Sequence, residues 1–273
     1  MMRFSRTFPA CRRLMLAAVL LLPLPATAHR AWMLPSATVL SGENPWVTVD
    51  AAISNDLFYF EHMPMALDGL TITAPDGSQA RPENQSRGRY RSTFDFRLDQ
   101  PGTYRVAVAG DTLMASWRQD GQPRRWRGTR EAFAREVPAN AEGLRVTFGQ
   151  RRIEFFATRG APTDRALQPG NEGLELVPVT HPNDLVAGEP ARFRMLLDGK
   201  PAAGIEVSVI PGGKRYRDEL GEMKLKTDEE GVVEVTWKGP GMYWLSATVR
   251  DDRSGIPNVP RVASYAATLE VLP

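Results

Sequence analysis

The fold is decided by a motif that occurs twice, as Gln100-Pro-Gly-Thr-Tyr-Arg-Val-Ala-Val108 and as Gly239-Pro-Gly-Met-Tyr-Trp-Leu-Ser-Ala247. Each copy is a Pro-Gly turn that leads into alternating apolar positions. A period of two indicates a strand with one buried face. A Pro-Gly turn before such a strand is typical of the last strands of immunoglobulin-like or prealbumin-like sandwiches. The motif therefore predicts an all-β protein with two antiparallel β-sandwich domains.

A second pair of similar stretches supports an internal duplication. Leu40–Val49 and Val186–Met195 each contain a Gly-Glu turn, a proline and an alternating strand. We therefore predict an N-terminal sandwich over residues 29–180, with an irregular insertion at about 110–145, and a C-terminal immunoglobulin-like sandwich over residues 181–273.

The alternation also predicts individual elements. In the second domain the predicted strands are 191–196, 205–210, 232–237, 243–250 and 263–271. In the first domain they are 46–52, 70–74, 90–98 and 103–108, with 145–147 and 153–158 completing the sheet, and a short helix is predicted over 129–135.

The N terminus has the pattern of a secretory signal peptide over residues 1–28. Four arginines precede an apolar run from Leu14 to Leu22, and Ala26-Thr-Ala28 is a small-x-small cleavage site. The sequence thus predicts a periplasmic protein that does not span the membrane after cleavage, because no later segment approaches the ~20 apolar residues of a spanning helix.

Composition excludes several classes of function. Cys11 is the only cysteine and lies in the signal peptide, so the mature chain has no disulfide, zinc-thiolate site or cysteine nucleophile. Removal of the four signal-peptide arginines leaves 30 basic against 32 acidic residues, a balance that does not indicate a nucleic-acid partner. A basic and aromatic cluster at Arg118–Arg130 is either a contact for an anion or lipid, or a solvated loop.

Catalytic motifs are absent from the sequence. It has no Gly-x-Ser-x-Gly elbow and no phosphate-binding glycine loop, and its three histidines show no triad spacing. The sequence therefore predicts a protein that is not an enzyme.

His29 is the residue most indicative of function. Cleavage after Ala28 makes it the N-terminal residue, where its α-amine and imidazole can chelate one metal ion. The alternative is a chance histidine, or cleavage at a neighbouring position. Trp32, three residues further on, is expected to shield a site at this end.

A second group of candidate ligands surrounds the aromatic run Phe58-Tyr-Phe60. Its members all carry oxygen, nitrogen or sulfur donors: Asp56, Glu61, His62, Met63 and Met65. On an extended chain neighbouring side chains point to opposite faces, so these groups converge only with a bend, which Pro64 can supply. The alternative for His62 is a half-exposed strand histidine beside a methionine-filled gap in the core.

These donors predict a divalent transition metal. His29 and His62 together offer three nitrogens, a set that suits Cu(II) or Ni(II), whereas added Met33, Met63 or Met65 favours Cu(I). His181 precedes Pro182 at the predicted domain joint, where it either joins the site or makes a turn hydrogen bond.

Several motifs resemble an exported family of unknown function whose members are described as periplasmic components of nickel/cobalt uptake systems. They are Ala28-His-Arg-Ala-Trp-Met-Leu-Pro-Ser36, Asp56-Leu-Phe-Tyr-Phe60, Leu176-Val-Pro-Val-Thr-His-Pro-Asn183, Asp198-Gly-Lys-Pro201 and Gly241-Met-Tyr-Trp244. The resemblance implies an envelope protein that handles nickel or cobalt beside a membrane transporter component.

Three hypotheses follow. The first is a periplasmic accessory protein that binds Ni, Co or Cu for uptake or handling. The second is a non-catalytic envelope module of two sandwiches that contacts a protein or glycan without metal. The third is a copper oxidase with a histidine brace, which needs an open metal position.

Overall fold

The structure is a computed structural model that describes residues 29–273, so the predicted signal peptide, with Cys11, lies outside the described residues. The strands are β1 (Arg30–Pro35), β2 (Val39–Leu40), β3 (Trp46–Ser54), β4 (Met63–Pro64), β5 (Leu70–Thr73), β6 (Gln79–Ala80), β7 (Glu83–Arg87), β8 (Ser92–Arg97), β9 (Gly102–Gln119), β10 (Gln122–Gly128), β11 (Glu142–Arg159), β12 (Leu174–Pro178), β13 (Pro190–Leu197), β14 (Lys200–Pro201), β15 (Glu206–Pro211), β16 (Met223–Lys226), β17 (Val232–Thr236), β18 (Gly241–Asp251) and β19 (Arg261–Val271). Helix α1 spans Arg130–Glu136, and single 3-10 turns span Arg165–Leu167 and Lys214–Tyr216.

These strands form one shared sheet and two covering sheets. The shared sheet has ten strands, in the order β16-β15-β18-β19-β11-β9-β5-β6, with β10 beside β9 and β2 beside β11. A five-stranded sheet, β1-β3-β8-β7 with β4 on β3, covers one part, and a four-stranded sheet, β12-β13-β14 with β17 on β13, covers the other. The prediction of an all-β protein built from antiparallel sandwiches is confirmed.

The topology agrees with the predicted duplication. The two similar turn-and-strand stretches lead into β3 and β13, which both lie in covering sheets, and the two Pro-Gly motifs lead into β9 and β18, which both lie in the shared sheet. The shared sheet contains one repeat, β15-β18-β19, beside the other in reverse order, β11-β9-β5. The last long strands of the repeats, β11 and β19, pair in parallel from Phe148 to Phe155.

The tyrosine of each motif stabilises the turn before it. The Tyr243 hydroxyl donates to the Gly239 carbonyl at 2.9 Å, and the Gln100 N–H donates to the Tyr104 hydroxyl oxygen at 2.8 Å. Both tyrosines are buried. A tyrosine hydroxyl bonded to the backbone a few residues upstream is also found at the corner of immunoglobulin-like sandwiches, so the repeated motif has the same structural role in both copies.

The two cores lie on opposite faces of the shared sheet. On β11, Ile153 and Phe155 point into the first core, beneath the five-stranded sheet, and Phe156 points into the second, beneath the four-stranded sheet. Successive strand residues point to opposite faces, so one strand serves both cores. The sandwiches are therefore joined by main-chain hydrogen bonds as well as by side-chain packing.

Two segments differ from the sequence-based outline. Strand β12 precedes the boundary predicted near residue 180 but pairs with β13 of the second sandwich. The stretch at about 110–145, predicted to be irregular, forms a ribbon of β9, β10 and the start of β11, with α1 between β10 and β11. Much of the ribbon is exposed, so it lacks the apolar alternation that indicates a strand.

The strands predicted at 145–147 and 153–158 are parts of the single strand β11, and β1 and β7 correspond to no predicted strand. The strands of the second sandwich match their predictions closely. Both long C-terminal strands and the strands at 191–196, 205–210 and 232–237 occur within two residues of the predicted bounds. The predicted helix is α1, whose N-cap Thr129 accepts a hydrogen bond from the Ala132 N–H. Within residues 29–273, no helix is both long and apolar enough to cross a membrane.

Strand β11 carries a buried acid on its face towards the second core. Glu154 is 1% exposed and accepts a 2.6 Å hydrogen bond from the Tyr265 hydroxyl, and its other oxygen lies 3.6 Å from the Arg152 guanidinium. Burial raises the pKa of this carboxyl, an effect that the Arg152 charge only partly offsets.

We expect Glu154→Gln to flatten part of the pH dependence of stability. A folded pKa above the unfolded value of about 4.3 makes stability fall as pH rises from that value towards the folded pKa, by about 1.4 kcal/mol per unit. The glutamine side chain has no such loss, and its carbonyl oxygen still accepts from Tyr265. Urea unfolding between pH 4 and pH 7 tests this, with exposed Glu234→Gln as control; parallel curves for wild type and Glu154→Gln would contradict it.

Candidate metal centre

His29 and His62 lie together at one end of β3. His29 immediately precedes β1 and His62 immediately precedes β4, and both strands pair with the last residues of β3. The two imidazole rings are stacked, with centroids 3.9 Å apart and an angle of 9° between their planes, and both residues are exposed. Two histidines 33 positions apart in sequence thus lie in contact at the surface.

Strand β1, which follows His29, is held by the second sandwich. The Trp244 Nε1–H donates to the Ala31 carbonyl at 3.1 Å, and the Arg30 guanidinium lies 5.8 Å from the centre of the Trp244 ring. Arg30 also donates to the Asn55 carbonyl at 2.9 Å, which links β1 to the segment that carries His62. These contacts fix the backbone beside His29.

Residues 55–62, here termed the His62 loop, are closed by a carboxylate. Glu61 Oε1 accepts hydrogen bonds from the N–H groups of Asn55 and Asp56, at 2.8 and 2.9 Å. The Ser54 hydroxyl donates to the Asp56 carbonyl at 2.6 Å. Because one oxygen of Glu61 holds the two ends of the loop together, this residue supports the position of His62.

Trp32 lies beneath the His62 loop. It is fully buried, its Nε1–H donates to the Ser54 hydroxyl at 2.8 Å, and its ring meets Phe58 edge-on at 5.4 Å. Phe58 has a φ of +61°, a backbone conformation that costs energy for a bulky residue. A Cβ atom at Gly212 would lie 2.9 Å from the Phe58 ring, so this ring needs a glycine opposite it.

Cation–π contacts hold the outer side of the loop. The Arg91 guanidinium lies 4.6 Å from the Phe60 ring centre, and that of Arg215 lies 4.1 Å from the Tyr59 ring centre. A hydrogen bond with Tyr59 and, to a smaller extent, the charge of Asp56 raise the pKa of Arg215. The predicted ligand Asp56 therefore lies near a cation of the second sandwich.

The methionines divide into exposed and buried residues. Met63, which follows His62 in the chain, is 43% exposed. Met33 and Met65 are fully buried in the first core. Of the three predicted sulfur donors, the structure leaves Met63 at the surface next to the histidine pair.

His181 lies in a separate hydrogen-bond network. Its Nε2 is 3.0 Å from the Thr103 hydroxyl, and its Nδ1 accepts from the Asn183 N–H at 3.2 Å. Burial lowers the pKa of this imidazole. Thr103 pairs with Thr158 near the end of β11, five residues or about 17 Å along the strand from Ile153, which lies near His29. The structure does not bring His181 to the His29–His62 pair.

Side-chain donors alone give two ligands at this position. Among residues 29–273 no group of three or more His, Cys, Asp or Glu side chains is placed to hold a metal ion. Two neighbouring imidazoles nevertheless fit a nitrogen-binding metal, and an α-amine on His29 adds a third nitrogen. Exposure lets either ring turn about its side-chain bonds without disturbing the core.

Residues 26–251 match a domain family described as a domain of unknown function, DUF4198. The chain belongs to this family. No curated protein matches it. Among solved structures, the D0-D1 domain of intimin aligns with 13% identity over 88% of this chain and 97% of that chain, with a TM-score of 0.23.

Sequence reasoning missed the residues that position the two histidines. Trp244 and Arg215 come from the second repeat, and no local pattern links them to His29 or His62. Arg151 is also near the pair, where it lines a cleft with His29. A sequence pattern could have pointed to Arg151. Ile153, Phe155 and Ala157 share one face of the strand, and the same alternation continued backwards places Arg151 on that face.

Proposed function

We propose that this DUF4198 protein is a periplasmic, non-enzymatic accessory protein that binds a divalent transition metal through His29 and His62. The observation that supports the proposal most directly is the contact between the two exposed imidazole rings at 3.9 Å. Two surface histidines from separate segments gain little stability by stacking on each other. Two neighbouring imidazoles can, however, supply two of the ligands of a transition-metal site.

The kinds of ligand atom at the site determine which metals it favours. With an α-amine on His29 the site offers three nitrogens, which suits Cu(II) or Ni(II), and a thioether ligand from the exposed Met63 would extend the range to Cu(I). The resemblance to exported nickel/cobalt uptake proteins favours Ni(II) or Co(II). In this proposal the metal is cargo, taken up in the periplasm and passed to a membrane transporter component.

Preorganisation supports binding by these residues. Trp244 and Arg30 fix the strand beside His29, and Glu61 closes the loop beside His62. A ligand pair whose backbone is already ordered loses less conformational entropy when the metal binds. The site needs a ring rotation but no refolding.

Metal titration of the chain that begins at His29 tests the proposal. We expect one equivalent of Ni(II), Co(II) or Cu(II) to bind with a sub-micromolar Kd, and His62→Ala to weaken binding by about 100-fold, since even indirect support of a ligand is worth about 10–100-fold. Mass spectrometry verifies the N terminus before calorimetry.

His181→Gln is the matched control, with its fold checked by circular dichroism. It removes the only other histidine of residues 29–273, and we expect its metal affinity to equal that of the wild type. Binding no tighter than micromolar by the wild type, or equal loss in His181→Gln and His62→Ala, would overturn the proposal.

A further inference from the structure

A cleft of about 450 Å³ opens beside His29. It lies on the face of the shared sheet opposite the second core, where the five-stranded sheet ends and leaves β11, β19, β18 and β15 partly uncovered. Arg151, Trp244 and Ile210 line it together with His29 and Arg30. The cleft therefore continues the surface on which the histidine pair lies.

Arg151 is a positively charged residue of this cleft whose charge is not balanced by an ion pair within residues 29–273. It is half-buried, and among residues 29–273 no carboxylate forms an ion pair with its guanidinium. Desolvation and the nearby charge of Arg127 lower its pKa. Two like charges held close together, one of them partly removed from water, attract an anion.

The neighbouring arginine shows the contrast. Arg152 follows Arg151 on β11, and its guanidinium lies 3.6 Å from Glu154 and 3.4 Å from Glu175, both buried. Its charge is neutralised within the protein. Arg151 points to the other face of β11, towards the cleft. Asp68, Asp111 and Arg127 line an adjoining cavity with it, yet within residues 29–273 neither aspartate forms an ion pair with its guanidinium.

Hydroxyl groups form the floor of the cleft. Ser208 and Ser246 are directly opposite each other on β15 and β18, and Ser264 is opposite Arg151 on the parallel pair β11–β19. Ser208 donates to Glu222 at the rim at 2.5 Å, and Ser264 donates to the Gln150 carbonyl at 3.3 Å. The hydroxyl protons of Ser208 and Ser264 are thus already donated within the protein, so recognition of a carboxylate in the cleft falls to the planar fork of the Arg151 guanidinium.

We infer that this cleft is an anion-binding subsite that takes a small polycarboxylate through the Arg151 guanidinium and presents it to the metal at His29. The link to metal rests on the proposed function. Three nitrogens leave coordination positions open, and a carboxylate held in the cleft next to His29 supplies oxygen donors for them. The cargo is then a metal carrying a carboxylate co-ligand.

Calorimetric titration with succinate, a dicarboxylate that binds these metals only weakly in solution, tests the inference. We expect succinate to bind the metal-free chain, and the Ni(II)-loaded chain about tenfold more tightly. Arg151→Gln should weaken binding at least about tenfold in both states, and Arg151→Lys, which keeps the charge but loses the planar fork, by less. Arg124→Gln, at an exposed position on β10, is the control and should match the wild type.

The outcomes separate the two proposals. Succinate binding to the metal-free chain that depends on Arg151 supports the anion subsite even if Ni(II) fails to bind, a result that would overturn only the metal function. Arg151-dependent binding that Ni(II) does not tighten overturns the co-ligand role and leaves a site for a free carboxylate. No binding, or equal binding by wild type and Arg151→Gln of intact fold, overturns the subsite.

Discussion

A Gly-Ser-Gly-Ser extension in front of His29 is expected to reduce metal affinity by about 1,000-fold, or about 4 kcal/mol. The extension converts the α-amine into an amide, which is not a basic ligand, and so removes the six-membered chelate ring that the amine and Nδ1 of one histidine form with a metal. The imidazoles of His29 and His62 remain, so residual weak binding is expected. Calorimetry of both forms with Ni(II) and Cu(II) measures the difference.

The length of the extension matters to the design. One or two added residues place a new amine where it and an intervening amide nitrogen can chelate Cu(II) or Ni(II) together with His29, which would hide the loss. A four-residue extension avoids this. The same extension on His62→Ala provides the control, since it should bind more weakly still. Equal affinity of the extended and unextended chains would show that the α-amine of His29 is not a ligand.

Trp32→Ala is expected to lower the free energy of unfolding by about 3–5 kcal/mol. Trp32 is fully buried between β3 and the His62 loop, it packs on Phe58, and its Nε1–H bonds to Ser54, which in turn holds the Asp56 carbonyl. The substitution leaves a large cavity and removes this chain of hydrogen bonds. Urea unfolding followed by circular dichroism measures the loss.

Trp46→Ala is the matched control for this prediction. Trp46 begins β3, is 46% exposed and contacts Arg97, so its removal should cost less than about 1 kcal/mol. We further expect Trp32→Ala to weaken metal binding under conditions where it stays folded, because the His62 loop loses its support. Similar stabilities of the two variants would contradict the role assigned to Trp32.

The extent to which the fold follows from sequence depends on local pattern. The strands from Pro190 to Leu197 and from Arg261 to Val271 were predictable because apolar residues recur at every second position along most of their length and turns bound them. The ribbon formed by β9, β10 and the start of β11 was not predictable, because much of it faces solvent and its mostly polar residues do not show the apolar alternation of a half-buried strand. The sequence predicts a boundary near residue 180, and it does not place β12 in the second sandwich because pairing of β12 with β13 is a contact between separate segments that local pattern does not specify.

The candidate site divides in the same way. His29 stands out because the cleavage pattern ends at Ala28, and His62 because donors cluster around it. Their contact across β3 was not predictable, since it depends on β1 and β4 pairing with the same strand end. His181 has similar surroundings in sequence, a proline and nearby acids, yet it lies in a network with Thr103 and Asn183.

The sequence by itself determined the all-β class, the repeated Pro-Gly-x-Tyr corner and the pair of histidines offered as ligands, because periodicity, turn chemistry and donor type are properties of neighbouring residues. The tertiary structure alone decided that β11 serves two cores, that the imidazoles of His29 and His62 meet, and that Arg151 lies in a cleft beside His29 with no ion-pair partner within residues 29–273. These features depend on strand pairing between distant segments, which local sequence pattern does not specify.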